Sequence, residues 1–249
     1  MNLWQLCQGE QQIRPVRGQL YRFVESQEQI ATLGYVDTLE EQALLEQLLD
    51  EHKPAYAPDT SHLHYLLQTP FRYPPLRFGS RFGSTFEPGI FYGGTSISVT
   101  LAEAAYYRLL FWYSMQAEPP KPQILSAHTL FSVRYQADKG IQLHQPPFAA
   151  YQPQLCSKTD YQLTQQLGSA MRGAAVAVVE YQSARDPAGG RCVGLFNPAA
   201  FASNTPDSTA AWWCELTAAE VSFKAAGDNH IHRFALSLFT QAGKLPQPA

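Results

Sequence analysis

The sequence predicts an α+β fold. Strand-like and helix-like stretches follow one another without the regular βαβ alternation of a doubly wound sheet. The 249 residues are 45% apolar, enough for one sizeable core and too apolar for a disordered chain. Charged residues make up only 16%, against roughly 25% in a typical soluble domain. Residues 1–18 read as a polar, Gln-rich, loosely attached arm, and residues 19–249 as a single domain.

The elements follow in order. Leu20–Val24 (LYRFV) reads as a short strand. Thr38 with Glu41 three residues on is a capping box, and Leu44, Leu45, Leu48 and Leu49 at helical spacing continue it as a helix that Pro54 and Pro58 end. The block TPFRYPPLRFGSRFGSTFEPGIFYGG is too rich in Pro and Gly for one element; it reads as loops with Gly89–Tyr92 running into a strand. Thr100–Met115 is apolar on nearly all sides, the pattern of a buried helix. Pro119, Pro120 and Pro122 then break the chain before a strand at Gln123–Tyr135. A helix over Thr159–Arg172 carries Leu163, Leu167 and Met171 on one stripe and stops at Gly173. Ala174–Tyr181 is a buried strand, and the Gly189–Gly190 turn leads into another within RCVGLF.

Several classes of function are excluded. A net charge of −3 gives no field for holding a polyanion, so direct nucleic-acid binding is not expected. No apolar run approaches the ~20 residues that span a bilayer, so no membrane segment is expected. The first residues lack a basic segment followed by an apolar core. Cys7, Cys156, Cys192 and Cys214 are scattered, which points to a reduced, cytoplasmic setting. Neither glycine-rich phosphate cradle nor a G-x-S-x-G elbow is present. The pairs His62/His64 and His230/His232 lack a third and fourth ligand, so no metal site and no permanently bound cofactor are expected.

What remains is a weakly charged, aromatic-rich middle flanked by Arg72, Arg77, Arg81 and Arg108. Guanidinium groups in apolar surroundings grip phosphate through two parallel hydrogen bonds, and aromatic faces stack flat heterocycles. Together they suggest a nucleotide; the alternative is ordinary surface arginines.

The order LYRF (Arg22), GSRFG (Arg81), FY (Tyr92), LAEAAYY (Glu103) and EYQSAR (Ser183), with steps of eleven residues from Arg81 to Tyr92 and from Tyr92 to Glu103, resembles the RES domain over Gln19–Pro198. RES domains are toxins of bacterial toxin–antitoxin pairs whose antitoxin carries a helix-turn-helix (Xre-like) domain. The resemblance implies a fold like that of ADP-ribosyltransferases, with central mixed or antiparallel strands and flanking helices. It also implies NAD as substrate, consumed by hydrolysis or phosphorolysis, and arrest of growth. Two features depart from smaller members: GSRFG stands where they have a GGRW-type segment, and the helix from Asp37 and the TPFRYPP block precede it.

Cleaving the nicotinamide–ribose bond passes through an oxocarbenium-like state with a leaving group that is already cationic, so no general acid is required. A carboxylate bonded to a ribose hydroxyl stabilises the developing charge, and Glu103 is the candidate. Its other reading is local: Thr100-x-x-Glu103 is itself a capping-box pattern. On this resemblance Tyr92 stacks on nicotinamide or bonds the ribose, and Ser183 fixes the amide or ribose. Arg22 and Arg81 hold the pyrophosphate or ribose, with Arg72 a weaker candidate and Arg185 and Asn197 supporting residues. Leu101 stands two positions before Glu103, so the E-x-E arrangement of arginine-modifying transferases is missing. A protein ADP-ribosyltransferase and a non-enzymatic nucleotide-binding module are the alternatives.

Overall fold

The computed structural model describes residues 2–26, 36–73, 75, 77–117, 119 and 121–247, without the side chains of Asp50 and Pro58; Met1, Pro74, Leu76 and Pro120 of the segments read above lie outside the described residues. Among the described residues there are eight strands: β1 (Arg14–Glu25), β2 (Phe91–Gly94), β3 (Gln123–Gln142), β4 (Val178–Gln182), β5 (Arg191–Leu195), β6 (Ser208–Thr217), β7 (Glu220–Ala225) and β8 (His232–Ala235). The helices are α1 (Leu3–Leu6), α2 (Leu39–Glu51), α3 (Tyr65–Arg72), α4 (Ile97–Ser114), α5 (Gln152–Leu155) and α6 (Gln162–Gly173).

The strands form one mixed sheet in the order β1-β2-β5-β4-β3-β6-β7-β8, so the protein is α+β. Among the described strands only the β3–β4 pairing is parallel. β1 also pairs with β3 along most of its length, which makes β1, β2, β5, β4 and β3 a closed circuit from which β6–β8 extend. The 20-residue β3 runs seven residues beyond the predicted strand and serves three neighbours, β1, β4 and β6.

Strand parity separates the core. Phe91 and Val178 point into a cluster with Leu20, Leu67, Phe131 and Val193. Their neighbours Tyr92 and Val179 turn to the other face, against Phe82, Leu167, Met171 and Tyr181. Both faces of β4 are thus covered, which explains its unbroken apolar run. A third cluster joins Leu101, Tyr106 and Leu109 of α4 to Trp212, Cys214 and Phe223.

The structure corrects two expectations, for the first residues and for α4, and bears out the helix at α2. The first residues are not a loose arm: Asn2 and Gln5 form a capping box on α1, and Leu3, Trp4 and Cys7 are buried in the core. α2 keeps its capping box, with Glu41 N–H donating to Thr38 Oγ1 at 3.1 Å, but leaves its leucines largely in solvent. α4 is not buried all round: Tyr107, Phe111 and Tyr113 are about half exposed.

One buried histidine gives the fold a pH dependence. His128, stacked on Phe23 at 4.5 Å, is held down at about 4 by burial and by the Arg108 guanidinium. The unfolded chain binds that proton near 6.5 and the folded chain does not. Stability present above pH 6.5 is therefore lost as pH falls towards 4. Thermal melts of His128→Gln should show a flatter decline across that window than the parent; an unchanged slope would assign the acid sensitivity elsewhere.

Candidate active site

The site is built where α4 crosses the β4–β5 turn. Ser96 caps α4, its Oγ accepting the Val99 N–H at 3.4 Å. Thr100 and Glu103 therefore lie inside the helix, and Thr100 donates its hydroxyl back to the Ser96 carbonyl at 2.8 Å. The capping-box reading of Glu103 is thus set aside, and its carboxylate is available for other contacts. Oε1 accepts the Ser183 hydroxyl at 2.6 Å and the Cys192 thiol at 3.7 Å. Burial beside that carboxylate pushes the Cys192 thiol well up, so it stays a neutral donor.

Ser183 has no freedom in this contact. Its Oγ accepts the backbone N–H of Arg185 at 3.0 Å and of Asp186 at 2.9 Å, leaving its proton to Glu103. The Asp186 carboxylate closes the turn by accepting the Ala188 and Gly190 N–H groups. The result is a hydroxyl aimed by the backbone at one carboxylate oxygen.

Two arginines flank Glu103. The buried Arg81 donates Nη1 to the carbonyls of Leu155 and Ser157 at 2.9 and 3.1 Å and lies over the Tyr161 ring. Burial alone would lower its pKa, but the Tyr161, Tyr181 and Tyr107 hydroxyls and the Glu103 carboxylate outweigh that and leave it raised. Arg185 lies 3.5 Å above the Tyr106 ring and donates to the Lys158 carbonyl at 2.8 Å. Its Nη1 is buried and donates no hydrogen bond among the described residues. Both arginines thus clamp the 155–161 segment against the site.

Tyr92 braces the same loop. Its hydroxyl pairs with Ser80 Oγ at 2.9 Å and accepts the Phe82 N–H at 3.1 Å, on either side of Arg81, and burial pushes its pKa up to about 12. Arg22 reaches it from the opposite face of β2: the guanidinium lies over Phe91 and donates to the Tyr92 carbonyl at 2.6 Å. Burial lowers the Arg22 pKa to about 10, so it remains a cation at neutral pH. The structure therefore brings together Glu103, Ser183 and Arg81, attaches Tyr92 through the Arg81 loop, and joins Arg22 only through the backbone. Arg72 bonds the Pro54 carbonyl and lies over Tyr56, with no bond to Glu103. Asn197 caps the short turn at Pro198–Ala200.

Sequence reasoning gave no role to Tyr106, Tyr107, Tyr161 and Cys192. Tyr106 and Tyr107 stand three and four residues after Glu103, on neighbouring positions of the helix surface, and that spacing was legible. Tyr161 and Cys192 come from distant segments with no local signal. A groove of about 590 Å³ lined by Arg17, Gln19, Arg134, Tyr135 and Asp207 lies on β1 and β3 and includes none of these residues. Among the described residues no three His, Cys, Asp or Glu side chains converge as metal ligands, and no helix is long and apolar enough to cross a membrane.

The fold and site define an α+β domain with one acid fixed by a backbone-anchored serine and flanked by two arginines. The family model of the RES domain matches residues 54–217, and the chain belongs to that family. No curated protein matches the chain closely enough to show a relationship. The RES family is one of toxin–antitoxin systems and of enzymes that act on NAD.

Proposed function

We infer that this chain is the toxin of a toxin–antitoxin pair and that it cleaves NAD between nicotinamide and ribose, arresting growth. One observation carries the reading: Glu103 has Oε1 fixed by Ser183, while no described group bonds its Oε2. Such a carboxylate can accept a ribose hydroxyl and strengthen that bond as positive charge develops at the anomeric carbon. The C1′–N bond breaks with its electron pair leaving on nicotinamide, which departs neutral. Water or phosphate then adds through oxygen at C1′, and with water a proton is released to solvent.

The other roles follow from position. Ser183 is a positioning residue, because its hydroxyl is committed to Glu103. Arg81 and Arg185 set positive charge beside the acid, suited to a pyrophosphate, and Arg81 keeps Nη2 and Nε outside the bonds that hold its loop. Tyr92 fixes that loop, and Arg22 fixes the β2 backbone behind it. Arg72 has no part in this reading. Leu101, the position where arginine-modifying transferases carry a second acid, is fully buried, which favours water or phosphate over a protein side chain as acceptor. The antitoxin, a helix-turn-helix protein, is proposed from the family's association with such systems.

Purified protein incubated with NAD should release nicotinamide, and the mass of the second product, ADP-ribose or its phosphate ester, identifies the acceptor. Intact NAD after long incubation with folded, antitoxin-free protein would overturn the reading; label from NAD appearing on protein would transfer it to the ADP-ribosyltransferase class. Ser183→Ala should reduce kcat about 10–10²-fold with KM little changed, since a hydrogen bond to a charged group contributes about 1.5–3 kcal/mol. A rise confined to KM would make Ser183 a substrate ligand instead.

A further inference from the structure

α2 precedes the residues that match the RES family and leaves most of its leucines in solvent. Its sequence LEEQALLEQLLDE holds five leucines and five acids, with no Lys or Arg. Leu44 and Leu48, one turn apart, are 56% and 45% exposed, and Leu49 is 46% exposed. Among the described side chains of α2 Gln42 is the buried one and Leu45 is half-buried, so α2 meets the body along a narrow line and turns its other leucines outward. An exposed i, i+4 leucine pair is the anchor pattern by which one amphipathic helix seats against another.

The charge around these leucines selects the occupant. At about 100° per residue, Glu40, Glu41 and Glu51 lie within a quarter turn of Leu44 and Leu48. Residues 37–51 carry six acids and no Lys or Arg, more negative charge than the whole chain's net −3. None of Glu40, Glu41, Glu46 and Glu51 is ion-paired among the described residues. Glu51 also sits at the end of the helix where its dipole favours cations. A second copy of this face would bring these acids together, and like charges set against each other disfavour that pairing.

We propose that the Leu44–Leu48 face of α2 docks a basic amphipathic helix of a partner protein, its apolar residues on the leucines and its lysines or arginines on Glu40, Glu41 and Glu51. The proposal is independent of the chemistry at Glu103.

The test uses the full chain and two fluorescent helical peptides of about four turns with the same leucine pattern, one flanked by lysines and one by glutamates, read by anisotropy. The lysine peptide should bind and the glutamate peptide should not. The variant combining Leu44→Glu and Leu48→Glu should weaken the lysine peptide at least about tenfold although it adds negative charge, whereas mere electrostatic adhesion would tighten. Glu40→Lys with Glu51→Lys should weaken it too while keeping the leucines. Equal binding of both peptides, or unchanged binding by both variants, overturns the proposal. So does a large fall in melting temperature of the leucine variant, which would show the face covered by its own chain. A parent dimer in sedimentation that this variant dissociates would assign the face to a second copy and overturn it as well.

Discussion

Glu103→Gln is expected to lower nicotinamide release from NAD by about 10²–10³, or ~3–4 kcal/mol of transition-state stabilisation. The substitution keeps the shape of the side chain, and an amide oxygen in place of Oε1 can still accept the Ser183 hydroxyl found at 2.6 Å. What it removes is the negative charge facing the ribose as the oxocarbenium character develops. Because α4 is capped by Ser96 and not by Glu103, the helix should keep its stability, and the melting temperature should stay close to the parent's. The loss belongs in kcat, since the charge matters most when the sugar is most positive. Glu103→Asp is a sharper control: it retains the charge but withdraws it by one methylene from both Ser183 and Cys192. Full activity of Glu103→Gln with NAD would remove the acid from the mechanism, and a collapse of folding would return Glu103 to a structural role. Growth arrest on expression should follow the enzymatic loss.

How much of this was legible depended on whether a feature is local. The acid, the serine and Arg81 could be picked out in order, but not their partners. Steps of eleven residues do not reveal that the Tyr92 hydroxyl closes onto Ser80 and Phe82 and so sets Arg81. Arg22 was read as a substrate ligand on the resemblance of LYRF to the family's first motif. Its guanidinium shares the Phe91 side of β2 while the Tyr92 ring takes the other, a parity that only the β1–β2 register fixes. Hydropathy counts Tyr and Phe as apolar wherever they fall, so α4 read as buried although Tyr107 and Phe111 stand half in solvent. The Gln-rich start misled in the opposite direction. Leu3, Trp4 and Cys7 fall on one helical face, and three anchors suffice to seat a single turn.

Gly168 shows the same dependence on tertiary context, and its replacement carries a prediction of definite sign. It lies inside α6, one residue after Leu167, where glycine costs roughly 0.5–1 kcal/mol relative to alanine. Helix propensity alone therefore predicts that Gly168→Ala stabilises the protein. The structure predicts the reverse. A Cβ at this position would fall within 3.0 Å of the Phe82 Cα and closer still to its carbonyl group. The obstacle is backbone, which cannot rotate aside. α6 must then move away from the 79–83 loop, or the loop must move. Phe82 is fully buried with its ring 4.9 Å from Tyr181, so either shift opens the core. Overpacking of this kind costs about 1–3 kcal/mol, and the upper end is expected here. For a chain of this size that is a fall of up to about 6–12 °C in melting temperature. The same displacement carries Arg81, whose hold on the Leu155 and Ser157 carbonyls spans the gap between loop and α5, so NAD cleavage should fall along with stability. A melting temperature equal to or above the parent's would show that α6 and the Phe82 backbone are not in the contact that places Arg81.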